Sequence, residues 1–174
     1  MSTGEELHEQ AEHASHGEPF NKRVAATMAM IAAALALVSV LGHMTTTEEL
    51  LLQQKSSDQW AYYQAKSIRR YESEVARDIL QSLQKTDVAA NYTKKAAQYR
   101  DEQTGIQKEA ENLQTESEFS GRKARRFHFG ELLLEIAIVL SSLAILTHRE
   151  AMFWFAVACG LGGVAVAASV FVAA

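Results

Sequence analysis

Four ionisable side chains, His43, His128, Glu131 and Glu135, stand where two long apolar runs end and begin, and their types and spacing could do chemistry. His43 closes the first run and Glu131 opens the second, so both belong at the same face of any layer that the runs cross. Glu135 lies one turn, ~6 Å, beyond Glu131 on the same helix face. A carboxylate at that depth is costly unless it is paired, hydrated or protonated. The chemistry it suggests is a cation or proton site, with His43 as the titratable partner. The competing reading is an interfacial carboxylate that reaches water or pairs with Arg125, Arg126 or His43 and only fixes the position of its helix.

A second group of histidines, His8, His13 and His16, lies among Glu5, Glu6, Glu9, Glu12 and Glu18. Ser2 with Glu5 and Thr3 with Glu6 have capping-box spacing, so a short helix is expected to run to about His16, before Gly17 and Pro19. On it His13 and His16 are an i,i+3 pair. Glu9 with His13 and Glu12 with His16 are i,i+4 pairs of the kind that share a divalent metal. A solvated tail is the alternative. No nucleotide-binding glycine loop, HExxH, Ser/His/Asp or Cys/His pairing accompanies these residues, so the chain reads as non-enzymatic and implies no cofactor.

The elements that must position these side chains follow from how charge and apolarity are divided along the 174 residues. Residues 24–42, 130–147 and 151–174 hold nearly all the long apolar runs, whereas residues 43–128 hold 14 of the 17 Lys/Arg and 13 of the 21 Asp/Glu. The formal charge of -4 divides into -3 for 1–23, +1 for 43–128 and -2 for 129–174, which offers nucleic acid no basic face. The lone Cys159 excludes an intrachain disulfide.

The first run has no charge over 19 residues, at ~1.5 Å each about the thickness of a bilayer core. A cleaved signal peptide is the competing reading, but an acidic, His-containing tail of 23 residues precedes the run in place of a short basic segment. The third run continues to the last residue, which is expected to sit at a membrane surface. Only His148, Arg149 and Glu150 separate the second and third runs, so these form a tight pair. The charged insert contains no Pro and is rich in good helix formers. Lys85-Thr86-Asp87 is its best turn, with Thr86 or Asp87 capping a second helix.

The resulting fold class is an all-α membrane protein. Its three transmembrane helices carry a long antiparallel helical hairpin, a coiled coil, between the first and second. In the second arm, Ala96, Tyr99, Gln103, Ile106, Ala110, Leu113, Ser117, Ser120, Ala124 and Phe127 follow steps of three and four. The same steps continue through Glu131, Leu134 and Ile138, so arm and span are expected to form one helix, with Gly105, Gly121 and Gly130 as weak points. The first arm gives a poorer seam, Ala25, Ala29, Ala32, Ala36, Ser39, His43, Thr46, Leu50, Gln53, Ser57, Trp60 and Gln64, drifting to Ile68, Tyr71, Val75, Ile79 and Leu83. Folding back about residue 86 places Val75 by Ala96, Ile68 near Gln103 and Trp60 near Leu113. The expected hairpin core is therefore Trp60, Ile68, Val75, Ile79, Ala96, Ile106 and Leu113.

The strings EPFNKRVA (18–25), LVSVLGH and TEELLLQQKSSDQWAYYQAKSIRR (37–70), and FGELLLEIAIVLSSLAILT (129–147) resemble bacterial membrane proteins of the domain-of-unknown-function 4337 family. The resemblance implies a bacterial inner-membrane location and helical architecture, and no catalytic residue. Arg122, Lys123, Arg125 and Arg126 form a basic collar that meets lipid headgroups or sets orientation. Lys22, Arg23 and Arg149 at one face against Lys55 and the collar at the other favour a cytoplasmic hairpin, while the usual priority of the first span argues the reverse. Ala156 with Gly160, Gly163 with Ala167, and the alanines of the first span let helices approach closely and point to a homo-oligomer. The expected function is a self-assembling scaffold or partner-binding element working through its hairpin. The alternative is a small homo-oligomeric channel, or a proton- or cation-linked pore, using the interface carboxylates.

Overall fold

The computed structural model describes residues 19–172. The tail histidines His8, His13 and His16, with the short helix expected around them, lie outside the described residues. Three helices make up the described chain: α1 (Pro19–Ser82), α2 (Thr86–Thr147) and α3 (Glu150–Val172), with no strand among the described residues. Each contains a stretch long and apolar enough to cross a membrane. Pro19 opens α1 at the first helical position, where its missing N–H costs nothing and its fixed φ suits the helix. Helix α2 runs without interruption through Gly105, Gly121 and Gly130.

The turn between α1 and α2 differs from its expected place. Gln84 takes a left-handed φ of 58°, the Lys85 amide donates to the Leu80 carbonyl (2.9 Å), and the Gln84 amide donates to that of Gln81 (3.0 Å). This is a Schellman C-cap with Gln where Gly is usual, so the sequence carries no signal for it. Thr86 is then the first residue of α2, and Asp87 sits in its first turn, where a carboxylate suits the helix dipole.

The chain forms two compact units, one of residues up to Met44 with Lys123 onward, the other of Thr45–Arg122. In the first unit, Ile31, Val38, Phe127, Leu134, Ala137, Ala167 and Val170 form the apolar core. Phe20 stacks edge-on against Phe153 (6.1 Å) and Phe127 against Phe171 (6.2 Å), so here α1 and α3 run the same way and α2 runs opposite. The α3 face of Ala156, Gly160, Gly163 and Ala167 is buried within the unit. The expectation that this face serves self-association is corrected: it is spent on α1 and α2 of the same chain. A Cβ on Gly163 would lie 2.8 Å from the Gly130 carbonyl oxygen, and one on Gly160 would lie 3.2 Å from Ile31. By contrast Ala25, Ala29, Ala32 and Ala36 remain exposed along α1.

In the second unit the α2 positions with reduced exposure include Ala89, Tyr92, Ala96, Tyr99, Gln103, Ile106, Ala110, Leu113, Ser117 and Ser120, the three-and-four steps expected of this arm, with Glu102 and Gly121 beside them. The α1 seam lies one residue, about 100° of rotation, from its expected line. Its inward positions are Thr45, Glu49, Leu52, Ser56, Gln59, Tyr63, Lys66, Arg70, Ser73 and Arg77. Ser56 donates to the Ala110 carbonyl (3.0 Å), Ser117 to that of Glu49 (3.1 Å), and Gln103 to Ser67, the residue beside Ile68. These contacts mirror about residues 83–85 because the chain turns at Gln84 and not at Thr86. Of the expected core, Ala96 and Ile106 are buried, and Trp60 and Leu113 are half-buried. Ile68 (59% exposed), Val75 (57%) and Ile79 (55%) are corrected to surface positions.

The backbone approach at Gly130 and Gly163 yields the first prediction. Gly163→Leu forces a branched side chain against a carbonyl and should destabilise the first unit by about 1–3 kcal/mol, the usual cost of overpacking. Thermal unfolding in detergent followed by circular dichroism checks it; an unchanged midpoint would contradict the packing described.

Candidate functional site

Helices α1 and α2 of the first unit bring three of the four expected residues together. The His43 and His128 rings meet edge to face at 6.3 Å, and His128 Nδ1 lies 3.2 Å from a Glu131 carboxylate oxygen one helical turn away. The Ser39 hydroxyl is a further hydrogen-bond partner of Glu131. Glu131 is half-buried by these neighbours. Glu135 does not join them. It lies on the exposed surface of α2 between the exposed side chains of Leu132, Ile136 and Val139, because α2 is rotated so that Leu134, Ala137 and Ser141 face inward at this level. Among the described residues, no three His, Cys, Asp or Glu side chains are grouped so as to hold a metal ion. The cluster is a polar clasp between the ends of the two apolar stretches.

The basic collar is divided between the two units. Arg122 lies over the Phe119 ring (5.6 Å) in the second unit, while Arg126 donates to the Ser169 carbonyl (3.3 Å) in the first, tying α2 to the last turn of α3. Arg125 is exposed and Lys123 half-buried.

One polar cluster was not expected. Lys66 sits on the inward face of α1 in the second unit, paired with Glu102 and within 5.3 Å of both the Tyr62 and Tyr99 ring centroids. Gln98 also donates to Glu102 (2.8 Å). The hydrogen bond to Glu102 raises the Lys66 ammonium above its ordinary range, and the same bond, followed by that from Gln98, holds the Glu102 carboxyl below the usual carboxylate range. The stepping of α1 from Thr45 at four and three residues would have located Lys66, had the seam not been sought through apolar residues.

The family model described as Domain of unknown function (DUF4337) matches residues 20–173, and the chain belongs to that family. No curated protein and no solved structure matches it.

The Lys66–Glu102 pair generates a pH prediction. Glu102 titrates lower when folded, so its contribution is present above its unfolded pKa and is lost as pH falls through the folded value. Lys66 titrates higher when folded, so its contribution is present below its unfolded pKa and is lost as pH rises through the folded value. Glu102→Gln should therefore lower the thermal midpoint near neutral pH and become indistinguishable from the parent in acid. Lys66→Met should lose its ion-pair deficit at the same acid limit, where Glu102 is protonated in the parent too, and again in strong alkali, where the ammonium is neutral. Midpoint differences independent of pH would remove the ion pair as their cause.

Proposed function

We propose that this member of the DUF4337 family is a non-enzymatic scaffold of the bacterial inner membrane. It assembles with copies of itself through an antiparallel coiled-coil hairpin formed by the unit Thr45–Arg122. One observation carries the reading. Ile68, Tyr71, Val75 and Ile79 on α1, with Leu83 just past its last residue, recur at steps of three and four, and each is more than half exposed. The inward face of the same helix holds Ser56, Gln59, Lys66, Arg70 and Ser73. A helix that turns polar residues inward and an apolar stripe outward has its hydrophobic partner outside the chain.

Covering each of these side chains from about half exposure contributes about 1 kcal/mol, so two facing stripes yield on the order of 10 kcal/mol. That is comparable to the ~4–15 kcal/mol that free association costs, and spans held in one bilayer reduce the cost by raising effective concentration. The exposed alanines of α1, Ala25, Ala29, Ala32 and Ala36, supply a close-approach face of the kind spanning helices use to pair. The count of Lys and Arg near span ends supports a cytoplasmic hairpin.

Val75→Glu with Ile79→Glu should convert the detergent-extracted complex to single chains in native mass spectrometry without loss of helicity, since neither side chain packs inside its own chain. An unaltered stoichiometry would overturn the scaffold reading.

A second reading, a proton- or cation-linked pore, has one observation in its favour. Glu135 is exposed on an otherwise apolar surface of α2, and a carboxylate there needs water or a second copy beside it. On this reading Glu135→Gln abolishes proton or cation flux in proteoliposomes while assembly persists. Parent vesicles that carry no flux would leave the scaffold alone.

A further inference from the structure

The first unit contains a cleft of about 460 Å³ between α1 and α3, floored by Leu134 and walled by Ile31, Ala34, Trp154, Val157 and Gly160. Its one hydroxyl, that of Thr27, donates back to the Arg23 carbonyl (2.9 Å), so the lining is apolar in effect. The cleft extends from Thr27 to Ala34 on α1 and from Phe153 to Val164 on α3, about 10–16 Å at the helical rise. That is half of a ~30 Å hydrocarbon core, the depth of one leaflet. It is also narrow. At its floor a Cβ on Gly160 would meet Ile31 at 3.2 Å, so the two helices close on each other there, and a whole helix of ~10 Å diameter does not fit.

The mouth is basic. Arg23 stands one turn outside Thr27, next to Lys22, and Arg149 precedes α3 one turn before Phe153; Glu150 is the only carboxylate among the described residues of these two segments. Trp154, 65% exposed and stacked on Phe153 (5.7 Å), stands at the depth where indoles favour the membrane interface. We propose that this cleft is a binding site for an anionic phospholipid, one acyl chain lying between α1 and α3 and the phosphate held by Arg23 and Arg149. The inference rests on the membrane reading above, and it assigns the site to the face opposite the Arg122–Arg126 collar. Arginine suits the role because its guanidinium meets phosphate oxygens two at a time. The exposed alanines of α1 lie roughly 180° around the helix from Thr27, Met30 and Ala34, reckoned at about 100° per residue, so self-assembly through them leaves the cleft open.

The test uses the full chain with Trp60→Phe, which leaves Trp154 as its one tryptophan. It is reconstituted into phosphatidylcholine vesicles containing brominated phosphatidylglycerol or brominated phosphatidylcholine. Bromine near the indole quenches its fluorescence. Phosphatidylglycerol should reach half-maximal quenching at about five- to thirty-fold lower mole fraction, the change that one to two uncompensated cations give an anionic headgroup. Arg23→Gln with Arg149→Gln should abolish that preference, and Ala34→Leu, which fills the cleft, should reduce quenching by phosphatidylglycerol to the phosphatidylcholine level. Equal quenching by the two parent lipids would overturn the site while leaving the membrane reading intact. So would absent quenching in protein that co-floats with vesicles, which would mean that another protein surface covers the cleft. Protein that fails to co-float would overturn the membrane reading itself, and the site with it.

Discussion

At Gly130 and Gly163 the backbones of α2 and α3 approach so closely that a methyl on Gly163 would stand 2.8 Å from the opposite carbonyl oxygen. For helices apolar enough to cross a membrane, association depends on contact area, and contact area depends on how near the backbones come. The rest of the first unit follows from this approach. With α3 drawn onto α2, Ala167 and Val170 reach the core beside Phe127, and Leu134 is fully buried. Arg126 then meets the Ser169 carbonyl on the last turn of α3. Gly160, on the same face, lets Ile31 of α1 complete the three-helix contact. The missing side chain that permits this contact also leaves the furrow beside it, so the cleft is a by-product of close packing.

The second unit obeys the opposite logic. Its seam is held by Ser56 and Ser117 donating to carbonyls of the facing helix, by Gln103 with Ser67, and by Lys66 with Glu102. Such bonds add little net stability, because water offers the same partners to the separated helices. They discriminate between registers more than they stabilise any one. A shift of register along the pair would part the buried serines from these carbonyls, whereas an apolar seam carries no such directional bond to lose. The hydrophobic surface that could have stabilised this pair lies outward instead, at Ile68, Tyr71, Val75, Ile79 and Leu83. Polar contacts within the chain and exposed apolar side chains thus occupy different faces of α1.

This division explains what the sequence made legible. The α2 seam could be counted because Ile106, Leu113 and Phe127 share the three-and-four steps with the alanines and serines between them, and the burial pattern has the same positions. The α1 seam was displaced by one residue because apolar side chains drew it toward Leu50 and Ile68, which are exposed. Periodicity identifies the apolar face of a helix; whether that face meets its own chain is a property of the partner. The turn was displaced for a different reason, since Gln84 adopts a left-handed conformation that its residue type does not announce. The meeting of His43, His128 and Glu131 was legible from topology alone, because the ends of consecutive spans share a face. The isolation of Glu135 was not, because it depends on the rotation of α2 within the three-helix unit.

The same rotation fixes what the first unit offers to its surroundings. Helix α1 buries Val24, Ile31 and Val38 on one line, which leaves Ala25, Ala29, Ala32 and Ala36 on one flank and Thr27, Met30 and Ala34 on the other. The alanine flank is smooth and suits another helix, whose backbone can come near. The other flank is a furrow with a basic mouth and suits a flexible chain bearing an anionic head. Because side chains on one helix cannot change flank without moving the buried line, the two surfaces are coupled through packing. A substitution that rotates α1 to improve one of them must draw Ile31 away from Gly160 or carry Arg23 toward the apolar layer, where a guanidinium is costly. The buried line of α1 thus constrains both surfaces more tightly than either constrains itself.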